Sequence, residues 1–166
     1  MLKSYYHSKL LEAGCDEVGR GCIAGPVVAA SIIFPKEYRN DSIKDSKKIS
    51  HKKRIEIEKE IKKHAISWSI GEIGVGQIDK ENILNASFSA MHLALDKLEV
   101  RPEFIIVDGN RFRKYKHIDH KCIVKGDSKY LSIAASSILA KNYRDELMTK
   151  FSIKHSQYEL SLIHIS

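Results

Sequence analysis

Residues 10–34 read LLEAGCDEVGRGCIAGPVVAASIIF, and their pattern predicts the first two strands of the fold. Apart from its acids, Leu10–Val18 is largely apolar and predicts a strand. The turn signal Gly25-Pro26 follows, and Val27–Phe34 is rich in Val, Ile and Ala, which predicts a second strand. The two strands are expected to pair as an antiparallel hairpin.

The sequence after this hairpin gives alternating helix and strand signals. Ser50 can cap a helix over His51–His64, and the period-two apolar pattern within Ala65–Ile73 predicts a third strand. We expect Asp79 to cap a second helix, whose buried face carries apolar residues at spacings of three and four.

The second half of the chain predicts two more strands and a long helix. Phe104–Val107 is a short, fully apolar run, typical of a central strand covered on both faces. Cys122–Val124 predicts another short strand, and a helix is expected from about Tyr130 to Met148. Strands interspersed with helices in this way predict a mixed α/β sheet with helices on its faces.

Composition limits the class of protein. The 166 residues and the 43% hydrophobic content suit one globular domain. Lys and Arg exceed Asp and Glu by 28 to 21, a net charge of +7 that favours a nucleic acid partner or serves solubility alone. The three cysteines lack C-x-x-C spacing, which argues against a zinc site or a disulfide framework. Reduced, buried thiols in a cytoplasmic protein are expected instead, and no apolar run approaches the about 20 residues of a membrane span. We also expect a monomer.

Four acidic residues occupy positions that suggest chemistry. Asp16 and Glu17 are neighbours in the first strand, so at least one should face a covered side of the sheet. A salt bridge to Arg20 or a bound cation would offset the cost of burying such a charge. Asp108 ends the central strand, and Asp127 precedes the last helix as a possible cap. If the first and fourth strands are neighbours, Asp16 and Asp108 converge, and carboxylates without His or Cys suit Mg²⁺ or Mn²⁺.

Several short blocks of sequence stand out together. They are CDEVGRG at 15–21 with AGPVVAA at 24–30, DSKK at 45–48, VDGN at 107–110, KGD at 125–127, and SIAASSILAK at 132–141 with Arg144-Asp145. In this order the blocks resemble the signatures of the ribonuclease HII family, and the resemblance runs from about Tyr5 to Tyr158.

This resemblance implies a ribonuclease-H-like fold, in which a mixed five-stranded sheet has three antiparallel strands and then parallel strands, flanked by helices. It implies an endonuclease that hydrolyses the RNA strand of RNA–DNA hybrids, leaves 3′-hydroxyl and 5′-phosphate ends, and removes ribonucleotides from DNA. By position, Asp16, Glu17 and Asp108 would be metal ligands and Asp127 the fourth catalytic acid. The cofactor would be Mn²⁺ or Mg²⁺, with two ions during catalysis.

The resemblance also implies residues that contact the substrate, which would be an RNA–DNA hybrid or duplex DNA containing ribonucleotides. Gly19, Arg20 and Gly21 would recognise the 2′-hydroxyl of the RNA. Part of this recognition would come from backbone groups, which glycines leave accessible. A plain turn is the other interpretation of these glycines. Three basic residues are candidates for phosphate contacts: Lys47, Lys141 and Arg144. Each could equally be a solvated surface charge.

The domain prediction is a catalytic domain over residues 1–158 and a divergent tail over 159–166, for which truncation and a non-native segment are the two interpretations. In that tail the family pattern would instead continue with a Gly-Tyr-Gly-Thr-like segment. Two other hypotheses remain open. One is a truncated, catalytically silent module that binds RNA–DNA hybrids. The other is a resolvase or integrase core of the same fold, although those proteins lack the Gly-Arg-Gly block.

Overall fold

A computed structural model describes residues 1–20, 25–44 and 48–165, with side chains as far as residue 154. Within these ranges the strands are β1 (Glu12–Val18), β2 (Val27–Ile33), β3 (Ser67–Ile73), β4 (Phe104–Asp108) and β5 (Asp119–Ile123). The helices are α1 (His51–His64), α2 (Val75–Glu81), α3 (Ile83–Lys97) and α4 (Leu131–Ile165), and a short 3-10 helix, Gly126–Ser128, precedes α4.

The strands form one sheet in the order β3-β2-β1-β4-β5. The pairs β1–β2 and β2–β3 are antiparallel, whereas β1–β4 and β4–β5 are parallel. The predicted hairpin and the predicted ribonuclease-H-like sheet are therefore confirmed. In the β1–β4 register Cys15 lies opposite Val107, so the next residues, Asp16 and Asp108, end up side by side.

Two glycines allow helices to pack closely on the two faces of the sheet. A Cβ atom at Gly14 of β1 would collide with Ser132 of α4, and the Ser136 hydroxyl donates to the Gly14 carbonyl at 2.8 Å. On the other face, a Cβ atom at Gly71 of β3 would collide with the backbone of α3 at Ala90. Because side chains alternate along β1, Asp16 lies on the same face as Gly14, toward α4.

The structure confirms one predicted helix cap and corrects another. The Ser50 hydroxyl accepts a hydrogen bond from the Lys53 amide at 3.2 Å and caps α1. The prediction for Asp79 is wrong, because this residue lies inside α2. The next helix is capped instead by Asn82, whose side chain accepts from the Asn85 amide at 3.0 Å.

Two element boundaries also differ from the sequence-based expectation. β5 covers Asp119–Ile123 rather than Cys122–Val124, because these residues pair with β4 at the edge of the sheet. Their polar side chains lack the apolar pattern by which a strand is predicted from sequence. α4 continues to Ile165 rather than ending near Met148. After Met148 the chain has no Gly or Pro that would stop a helix. Among the helices described, not one has the length and apolar character that a membrane crossing requires.

Candidate active site

The carboxylates predicted to act together lie at one end of the sheet. Asp16, near the end of β1, is 6% exposed, and Asp108 ends the neighbouring parallel strand β4. The 3-10 helix brings a third acid to them, since the Asp127 amide donates to the Asp108 carboxylate at 3.3 Å. Gly126 permits this approach: a Cβ atom there would lie 2.7 Å from Ile133 Cδ1 and 3.4 Å from the Asp108 carboxylate.

These carboxylates destabilise one another's ionised forms. Burial raises the pKa of Asp16 well above its ordinary value, and the nearby charges of Asp108, Glu17 and Asp127 raise it further. The Glu17 amide, which donates to the Asp16 carboxylate at 2.8 Å, opposes these effects only in part. Burial also raises the pKa of Glu17, with Arg20 opposing the shift and Asp108 adding to it. The site therefore concentrates several acidic groups that raise one another's pKa.

Arg20 is the basic partner that the sequence suggested for this pair of acids. Its guanidinium lies 3.9 Å from the Glu17 carboxylate, and half of the Arg20 side chain is exposed. Exposed ion pairs at such distances contribute little to stability. The salt bridge thus exists for Glu17, but it leaves the repulsion between Asp16 and Asp108 in place.

The donor groups gathered here are oxygens, which suit a hard divalent cation. Among the residues that the structure describes, no three His, Cys, Asp or Glu side chains already surround a point where one metal ion could sit. The adjacent Cys15 is not a competing ligand. Its thiol contacts Ser31, burial raises its pKa to about 12, and alternation places it on the face opposite Asp16.

The segment predicted to read the 2′-hydroxyl is described only in part. Gly19 has a φ of 102°, and a Cβ atom there would lie 2.7 Å from both Arg144 Nε and the Pro26 carbonyl oxygen. Glycine is therefore required at this position by conformation and by space. Gly21, the other glycine of the block, lies outside the described residues.

The three predicted phosphate contacts fall in different surroundings. Arg144 Nε donates to the Pro26 carbonyl at 2.9 Å, so Arg144 holds the backbone just before β2 and lies next to Gly19. Lys141 is half-buried on α4, and Lys47 lies outside the described residues. For all three, a phosphate contact stays a prediction.

Sequence reasoning missed a buried network that holds α1 against α4. Arg54 is 7% exposed and donates to the Asn142 side chain at 2.9 Å and to the Asp145 carboxylate at 3.1 Å. The Asn142 amide donates in turn to the Arg54 carbonyl at 3.0 Å. Arg54 lies within a strongly charged helix, where nothing in the sequence separates it from the exposed lysines and glutamates nearby.

The mixed sheet and the acids where β1 and β4 end define a metal-dependent nuclease of the ribonuclease H class. The sequence model of the ribonuclease HII family matches residues 13–162, and the chain belongs to that family. It is accordingly a metal-dependent endoribonuclease, from a family that acts on RNA–DNA hybrids.

Similar proteins agree with this assignment. A ribonuclease HII from Bacteroides fragilis is 50% identical over 159 residues, which cover 96% of this chain and 79% of that protein. One from Parabacteroides distasonis is 51% identical over 158 residues, covering 95% of this chain and 79% of the relative.

Solved structures share the fold. The ribonuclease H2 of Pyrococcus horikoshii superposes with a TM-score of 0.77 at 24% identity, over 87% of this chain and 76% of that one. The Archaeoglobus fulgidus ribonuclease HII, solved in complex with PCNA, gives a TM-score of 0.73 at 25% identity with the same coverage. The ribonuclease HIII termed Bst, in complex with Mn²⁺, gives 0.64 at 21% identity over 86% of this chain and 54% of that one.

Proposed function

We propose that this protein cuts the RNA strand of RNA–DNA hybrids by two-metal-ion hydrolysis, acting as a monomer, and that it removes ribonucleotides from DNA. The observation that carries the proposal is the parallel pairing of β1 with β4, which sets Asp16 beside Asp108. The mutual effects of these acids with Glu17 and Asp127 on the pKa of Asp16 support a common site.

In this proposal Asp16, Glu17 and Asp108 hold Mn²⁺ or Mg²⁺, and Asp127 is the fourth acid. The fit rests on the donor chemistry, because hard cations prefer carboxylate oxygens and a cation would relieve the repulsion that raises the pKa of Asp16. The side chains must turn toward a common point to do so. Two bound ions would activate the attacking water and neutralise the charge developing on the scissile phosphate.

The protein's own groups would set the geometry of cleavage. The Asp127 amide orients the Asp108 carboxylate. The backbone of the Gly19–Gly21 block, with Arg20, would contact the 2′-hydroxyl that distinguishes RNA from DNA, and Arg144 would keep the base of this block in place. Lys47 and Lys141 would bind phosphates. Breaking the bond between phosphorus and the 3′-oxygen leaves 3′-hydroxyl and 5′-phosphate ends.

The test is cleavage of an end-labelled RNA–DNA hybrid in Mg²⁺ or Mn²⁺, compared with an all-DNA duplex of the same sequence. We expect only the RNA strand to be cut. Asp108→Asn should lower turnover by on the order of 100-fold or more, the scale on which transition-state charge stabilisation is lost, while hybrid affinity changes far less. Asp79→Asn, an exposed acid on α2, is the matched control. Equal cutting of both duplexes would favour a resolvase-like or integrase-like nuclease instead.

A second substrate tests the role in ribonucleotide removal. A DNA duplex with one embedded ribonucleotide should be incised at that nucleotide. Cleavage of the continuous hybrid without this incision would refute ribonucleotide removal but leave the hybrid nuclease intact. Binding of the hybrid by folded protein with no cleavage in either metal would favour the silent binding module.

A further inference from the structure

The N-terminal segment, residues 1–10, is fixed between two parts of the fold. The Lys3 amide donates to the Lys129 carbonyl at 2.9 Å, and the Leu131 amide donates to the Lys3 carbonyl at 2.8 Å. On its other side, the Ser4 hydroxyl donates to the Tyr38 carbonyl at 3.4 Å. The segment therefore joins the start of α4 to the connection between β2 and α1.

The buried carboxylate of Glu12 binds the same N-terminal segment through its backbone amides. Glu12 is 6% exposed, and its side chain accepts hydrogen bonds from the Tyr6 and His7 amides at 3.0 Å and 2.7 Å. The Lys36 ammonium donates to the His7 carbonyl at 2.5 Å. These charge-assisted bonds favour a single conformation of the segment.

Two open cavities share a wall made by this segment. One has a volume of about 600 Å³ and the other about 490 Å³, and Met1 and Ser128 line both. Ser128 belongs to the 3-10 helix that carries Asp127. The two cavities therefore meet at Ser128, one residue away from Asp127 of the candidate active site.

The cavity walls are strongly basic. The larger cavity is lined by three basic side chains, those of Arg39, Lys44 and Lys48. Among its described lining residues, Asp41 is the one acid. The smaller cavity is lined by three lysines, Lys3, Lys121 and Lys129, and there is no acid among its described lining residues. All six side chains are exposed, and none forms an ion pair with a residue in the described part of the chain.

We propose that the two cavities form one basic groove, defined by these six cations, that binds the phosphate backbone of the duplex arm on one side of the cleaved bond. The proposal rests on the hybrid-cutting function above. Cations held open to solvent attract polyanions, and a nucleic acid duplex carries one negative charge per about 1.7 Å of its axis. Because Ser128 lines both cavities and none of the four acids lines either of them, the groove leads away from the acids, and we expect it to contact the duplex on one side of the cleaved bond only.

The test measures binding of a labelled RNA–DNA hybrid in EDTA, where no cleavage occurs, over a series of salt concentrations. The groove variant combines Arg39→Ala, Lys44→Ala, Lys3→Ala and Lys121→Ala. We expect the slope of log affinity against log salt to become shallower by up to about 3.6, because four phosphate contacts are lost and each contributes about 0.9. The affinity at low salt should fall by about tenfold or more.

The matched control removes the same charge from exposed positions elsewhere, through Lys59→Ala, Lys63→Ala, Lys80→Ala and Lys97→Ala. Its salt slope should stay near that of the wild type. A charge-retaining groove variant, Arg39→Lys with Lys3→Arg, Lys44→Arg and Lys121→Arg, should also keep the slope, which separates the effect of lost charge from that of lost folding. Equal slopes for the groove variant and the control variant would overturn the proposal.

Substrate length gives a second, directional measurement. Extending the hybrid by one helical turn, about 10 base pairs, should raise affinity on one side of the cleavage site only, and the groove variant should lose that gain. Equal gains from both sides, unchanged in the variant, would also overturn the proposal. If the protein cleaves the hybrid but the groove variant keeps the wild-type salt slope and length dependence, only the groove proposal is refuted. If the groove variant loses both but the wild type does not cleave in Mg²⁺ or Mn²⁺, only the proposed function is refuted.

Discussion

Replacing Asp16 by Asn removes one buried negative charge from the carboxylate cluster and preserves the shape of the side chain. The substitution should abolish metal-dependent cleavage, since Asp16 is a proposed ligand. It should also stabilise the metal-free protein, because the fold holds Asp16 beside Asp108 with the pKa of Asp16 raised by burial and by its acidic neighbours. Function and stability therefore oppose each other at this position.

The size of the stabilisation follows from the register of the sheet. Neighbouring strands are about 4.8 Å apart, and two unit charges at about 5 Å repel by about 3 kcal/mol at an effective dielectric constant of about 20. Partial exposure of Asp108 lowers this repulsion, so we expect a gain of about 2 kcal/mol. For a chain of this length, the gain corresponds to a rise in Tm of about 4–8 °C.

The pH dependence has a definite sign. A carboxyl group whose pKa is raised by folding destabilises the folded state when it is ionised, and this penalty disappears as the pH falls below its ordinary value. The difference in Tm between Asp16→Asn and the wild type should therefore be present at pH 7 and shrink as the pH is lowered toward 3.8, the ordinary value for Asp.

The measurement is thermal unfolding in EDTA at several pH values, followed by titration with Mn²⁺ or Mg²⁺. Metal should raise the Tm of the wild type and have much less effect on Asp16→Asn, while Asp79→Asn should follow the wild type throughout. A variant that melts at or below the wild-type temperature in EDTA at pH 7 would refute the argument that like charges are forced together at this site.

Three further predictions concern the fold that supports the site. Gly14→Ala should lower the free energy of unfolding by about 2 kcal/mol, because its methyl group would collide with Ser132 of α4; Gly76→Ala, which has open space around it, should be neutral or slightly stabilising by the same thermal assay. Glu12→Gln should speed hydrogen exchange at the Tyr6 and His7 amides, which lose a charged acceptor, and unchanged exchange there would contradict the anchoring of the N-terminal segment. Arg54→Met should cost about 2 kcal/mol by leaving the buried Asn142 oxygen without its donor, whereas Lys53→Met, which loses only an exposed pair with Glu56, should cost less than about 1 kcal/mol.

Most of the local elements of this protein could be predicted from short stretches of its sequence. The apolar runs around Asp16 and before Asp108 and the Ser50 cap depend on residues close together in the chain, where propensity and periodicity are informative. The ordered motif blocks likewise identified the family. Local signals failed at Asp79, where Asn82 is the actual cap, and at β5, where pairing with β4 overrides an unfavourable composition.

Which distant groups come into contact became known from the three-dimensional structure. The pairing of β1 with β4, the hydrogen bond from Asp127 to Asp108, and the burial of Arg54 between α1 and α4 join residues far apart in sequence. The basic groove arises in the same way, from the anchoring of Lys3 on Lys129. Such contacts depend on the balance between burial and chain entropy over the whole fold, which no short window of sequence contains.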